Sequence, residues 1–83
     1  MDFTLITERL GMQIRSRRQN LGLTQAQLAQ RARLTRQKII AVEQGCLTVT
    51  MVAYAKALGA LGCELQVVPA VMPTLDEIQG MFE

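Results

Sequence analysis

At 83 residues the chain is long enough for one domain and no more. Its composition, 49% hydrophobic and 19% charged, excludes a disordered tail, and aromatics at 4% leave a core of Leu, Ile, Val, Ala and Met, a mix that favours helices. The net charge of +2 hides an asymmetry: residues 1–45 carry +5 and residues 46–83 carry −3, which suggests that one face meets a polyanion.

Other function classes find little support. There is no His, and Cys46 and Cys63 lack metal-ligand spacing, so neither a metal nor another cofactor is expected. Both cysteines read as small apolar fillers in a reduced cytoplasm. Asp2 and Glu8 stand where a signal peptide would need a basic start and an apolar run. The longest apolar stretch, residues 57–63, contains two glycines and cannot span a membrane. The expected location is cytoplasmic, with no membrane contact. An enzyme is not expected: Ser16, the lone serine, lies between arginines, and no glycine-rich phosphate loop or paired acids are present.

In chain order, a first helix is predicted from about residue 5 to 20, with Ile6, Leu10 and Ile14 at four-residue spacing and Gly22 closing it. Thr24 opens a second helix, and Gln27 completes a capping box. Leu28, Ala29 and Ala32 give this helix a short apolar face. Thr35 opens a third helix, residue 36 to about 44, anchored inward by Ile39 and Val42 and ended by Gly45. Only Arg33 and Leu34 separate the second helix from that cap, so the two must cross steeply, as in a helix-turn-helix. Thr50 caps a fourth helix to about residue 61, with Val52, Ala55 and Leu58 predicted inward.

The period then changes. Residues 63–68 alternate apolar and polar and stop at Pro69, which reads as a β-strand. A solitary strand leaves its backbone unpaired; the remedy is the same strand (Glu64, Leu65, Gln66, Val67, Val68) from a second copy across a two-fold axis, and the alternative is an irregular extended tail packed on its own helices. Thr74 and Glu77 form a further capping box, opening a short amphipathic helix with Leu75, Ile78 and Phe82. The expected architecture is therefore all-α, four to five short helices with one C-terminal strand paired across a dimer. Residues 1–62 form the helix-turn-helix domain, and residues 63–83 the dimerisation strand and final helix.

The segments IRSRRQNLGLTQAQLAQ (residues 14–30) and LTRQKIIAVEQG (residues 34–45) resemble the lambda-repressor-like family of helix-turn-helix proteins, of Cro and Xre type, over about residues 10–61. The strand directly after the fourth helix resembles that of HipB-type antitoxin repressors. These resemblances imply a homodimeric, sequence-specific repressor that reads an inverted repeat in double-stranded DNA. They extend to an antitoxin that represses its own operon and neutralises a kinase-type toxin.

The same resemblance assigns residues. The third helix would enter the major groove N-terminus first, Arg36 bidentate to guanine and Gln37 to adenine. Lys38 would reach a base or phosphate, and Ile40 and Ala41 a thymine methyl. Gln25 at the start of the second helix would grip a phosphate, with Thr24 capping that turn. Thr35, Arg15 and Arg17 would add phosphate contacts, and Thr48 with the amides after Gly45 would hold the next phosphate. Arg18 and Glu43 match the family's internal ion pair. Two residues depart from the pattern: Arg33 stands where glycine is usual, costing roughly 1 kcal/mol if its φ is positive, and Val49 where proline is common. The rival reading is a helix-turn-helix module that binds protein rather than DNA; Arg36, Gln37 and Lys38 argue against it and Ile40 for it.

Overall fold

The computed structural model describes residues 2–69, among which there are four α-helices: α1 (Phe3–Asn20), α2 (Gln25–Ala32), α3 (Arg36–Glu43) and α4 (Met51–Ala60). Each helix starts at a side-chain cap. The carboxylate of Asp2 accepts from the Thr4 amide at 3.2 Å and starts α1 two residues before the predicted boundary. At α2 the capping box is reciprocal: the Gln27 amide donates to Thr24 Oγ1 at 3.1 Å, and the Thr24 amide donates to Gln27 Oε1 at 2.8 Å. Thr35 and Thr50 cap α3 and α4 through the amides of Lys38 and Ala53. Such caps satisfy amides that the helix itself leaves free, each worth about 1 kcal/mol.

The turn between α2 and α3 is tight because Arg33 adopts the left-handed conformation, with φ 57° and ψ 43°. Two backbone bonds hold it there: Leu34 N–H to Ala29 at 2.9 Å and Arg33 N–H to Gln30 at 3.3 Å. For an arginine this costs roughly 1 kcal/mol, the strain expected where glycine is the usual residue.

α3 is packed by the other three helices, and α2 also packs on α4. Ile14, Leu28, Ile39 and Val42 are the fully buried large side chains, surrounded by Ala29, Ala32, Ala53, Tyr54, Ala57, Leu58 and Leu61. The interior of α1 touches α3 backbone to backbone. A Cβ on Gly11 would lie 2.6 Å from the carbonyl oxygens of Val42 and Glu43, and one on Gly45 would lie 2.6 Å from the Glu8 backbone. Two glycines therefore set how closely α1 lies against the end of α3.

Four expectations need correction or restriction. In α4, Val52 (61% exposed) and Ala55 face outward; Ala53, Tyr54, Ala57 and Leu58 face inward. Eight of the ten α4 residues are apolar, so periodicity could not choose a face. Packing chose it, bringing alanines of α2 and α4 into one core and seating the Tyr54 ring. In α1, Ile6 continues the apolar spacing yet is 52% exposed, because the core ends at Leu10. Residues 63–69 form no ladder with the rest of the described chain; they run beside α1, where Leu65, Gln66, Val67 and Val68 share a shallow groove of about 440 Å³ with Ile6, Leu10 and Gln13. The helix expected around Leu75, Ile78 and Phe82 lies outside the described residues.

Candidate nucleic-acid interface

Caps at Thr24 and Thr35 place the N-termini of α2 and α3 in the order the turn imposes. Arg36, Gln37 and Lys38 occupy the first turn of α3 and are all exposed, whereas Ile40 and Ala41 are half-buried. The Thr35 hydroxyl is engaged in its own cap. An open concavity of about 620 Å³ brings Arg36 together with Arg15, Arg18, Thr24 and Gln25. Its wall thus combines the two exposed guanidiniums of Arg15 and Arg36 with the amide-bearing first turn of α2, a combination suited to an anion.

The charge pattern reinforces this. No acidic residue stands between Glu8 and Glu43, while eight basic residues fall from Arg9 to Lys38. Glu43 is buried and answers to Arg18: Arg18 Nε lies 2.6 Å from Glu43 Oε2, and Nη2 lies 3.1 Å from Oε1. Arg18 Nη1 also donates to the Leu23 carbonyl at 2.8 Å. One side chain thereby ties α1 to the end of α3 and to the loop that enters α2. The Gln25 amide joins the network, its Nε2 donating to Glu43 Oε1 at 3.3 Å. The residue expected to grip a phosphate is thus oriented by the ion pair behind it.

Not every expected residue converges on this face. Arg17 lies apart from the concavity, with Met12, Gln13, Ser16 and Asn20, and its Nε donates to the Leu61 carbonyl at 3.4 Å at the end of α4. Such a bond serves the negative end of a helix rather than a phosphate. In the loop after α3, Thr48 Oγ1 lies 3.0 Å from Cys46 Sγ. Hydrogen bonding to Thr48 pulls the half-buried Cys46 thiol below its ordinary value, with a smaller contribution from the Lys38 charge. Cys63 does pack against the core. Tyr54 donates its hydroxyl to the Cys46 carbonyl at 2.9 Å and so pins the α3–α4 loop to α4. Neither Tyr54 nor Gly11 stood out in the sequence, although a glycine within an amphipathic helix, three residues before the buried Ile14, is the usual signal of close approach.

Among the described residues no group of three or more His, Cys, Asp or Glu side chains could hold a metal ion, and no helix is long and apolar enough to cross a membrane.

Comparison with known proteins agrees with this geometry. Residues 9–70 match the family described as helix-turn-helix domain. An uncharacterized HTH-type transcriptional regulator of Methanothermobacter thermautotrophicus is 45% identical over 51 residues, which cover 61% of this chain and 74% of that protein. The match spans all of α2, α3 and α4 and most of α1, and the chain belongs to the helix-turn-helix domain family.

Proposed function

We propose that the protein is a sequence-specific DNA-binding regulator of transcription. The observation that carries this is the exposed Arg36, Gln37 and Lys38 on the opening turn of α3, beside the capped N-terminus of α2. In this reading α3 enters the major groove, and Arg36 and Gln37 read guanine and adenine edges. Gln25, Thr24 and Arg15 hold the flanking phosphate. On the same turn, Lys38 takes a base or a phosphate and Thr35 a phosphate. Ile40 and Ala41, half-buried, offer only an apolar edge.

The active form is a homodimer that blocks a promoter. Val67 is fully exposed and Val68 and Leu65 are more than half exposed, apolar surface that pairing of residues 64–68 across a two-fold would cover. Two copies of α3 would then sit about 34 Å apart, on half-sites one helical turn apart. A role as antitoxin to a kinase-type toxin extends the same reading, and co-expression with the neighbouring gene product tests it by complex formation.

The decisive experiment is selection from a random duplex pool near physiological salt, followed by sequencing. Enrichment of an inverted repeat supports base readout and dimer together. Absence of any enriched sequence refutes the proposal in favour of a protein-binding module, and enrichment of a single half-site refutes the dimer alone.

A further inference from the structure

At the ends of α1, α3 and α4 the left-handed residue is glycine: Gly22, Gly45 and Gly62, with φ of 70°, 71° and 69°. At the end of α2 the same conformation, closed by the same pair of backbone bonds, is held by Arg33. An arginine is strained there and a glycine is not. Its side chain brings no packing in return, being exposed, and the nearest acid in the following sequence, Glu43, is bonded to Arg18. Backbone strain of this kind persists only where the surrounding structure holds it, and it clusters at functional sites.

Position indicates which function. Arg33 stands two residues before the cap of α3, outside the helix whose first turn carries Arg36 and Lys38. A helix entering the major groove N-terminus first brings the residues ahead of its cap against the groove wall, which is phosphate rather than base. We propose that Arg33 is a backbone-phosphate contact, a cation added to the turn at the expense of local strain. The inference rests on the DNA-binding reading above.

The test uses the full chain with R33G and R33K. Affinity is measured from about 50 to about 200 mM salt, on a selected duplex and on a scrambled one. R33G is expected to melt at a higher temperature than the wild type, yet to lose about 0.9 from the salt slope on both duplexes. R33K keeps the charge and is expected to keep the slope. A wild-type slope in R33G, a loss confined to the selected duplex, or a lower melting temperature overturns the inference and leaves DNA binding intact. Wild-type protein with no salt-dependent binding to either duplex overturns the DNA-binding reading, and this assignment with it.

Discussion

Replacing Arg18 with Met is expected to destabilise the domain more than any other single substitution at the interface. The reason lies in what is left behind. The Glu43 side chain is 3% exposed and would retain one donor, Gln25 Nε2 at 3.3 Å, in place of the two short bonds from Arg18. Stranding one member of a buried pair costs about 3–5 kcal/mol. At the lower end this is roughly 12–24 °C in melting temperature for a domain of this size. Glu43→Gln is expected to cost less, about 1.5–3 kcal/mol, because Arg18 keeps the Leu23 carbonyl at 2.8 Å and is itself 10% exposed. Removing both ends, as Arg18→Met with Glu43→Leu, is expected to recover most of the loss, since an apolar pair of similar volume avoids stranding either charge. Urea denaturation of the wild type, Arg18→Met, Glu43→Leu and the double variant closes the cycle and gives the coupling energy directly. Two results would refute the reasoning: either single variant within about 0.5 kcal/mol of wild type, or a double variant whose loss equals the sum of the singles.

Gly11→Ala and Gly59→Ala are expected to move in opposite directions, although both lie within helices where alanine is intrinsically favoured by about 1 kcal/mol. At Gly59 nothing lies within 4 Å of the new methyl, so stability rises; at Gly11 the methyl meets backbone at 2.6 Å, and overpacking of about 1–3 kcal/mol outweighs the gain. Equal shifts in thermal denaturation would dismiss the close approach of α1 to α3. Tyr54 is the single tyrosine and there is no Trp, so phenolate absorbance reports it alone. Burial pushes its phenol above the ordinary value, with a smaller contribution from Cys46. The folded-state value being raised, the neutral phenol contributes stability below about pH 10, and that contribution is lost as pH rises through the folded value. A titration midpoint in the native protein no higher than in denaturant would contradict the buried hydroxyl. Arg36→Ala is expected to cost about 1–3 kcal/mol in DNA binding and to relax preference at one base step; uniform loss on all sequences would make it a phosphate contact instead.

The starts of α2, α3 and α4 were legible from residues alone because a cap is a local transaction. Thr24 with Gln27, Thr35 with Lys38, and Thr50 with Ala53 bond across three positions, so their partners are already adjacent in sequence. The same holds for the positive φ at Gly22 and the tension at Arg33, which follow from ending one helix and turning into the next. The motif spacing also located the basic opening turn of α3, and with it Arg36, Gln37 and Lys38.

What only the tertiary structure decided involves residues far apart in sequence. The buried face of α4 depended on where α2 and α3 placed their apolar surfaces, because α4 is apolar nearly all round. The Gln25 amide turns toward Glu43, eighteen residues away, and Arg17 toward Leu61, forty-four away. Gly11 is required for the close approach of α1 because of the Val42 and Glu43 carbonyls on another helix. Local hydrogen bonding sets where each helix begins and ends; the face it buries, and the partner each long polar side chain finds, are set by the neighbour that excludes water from it.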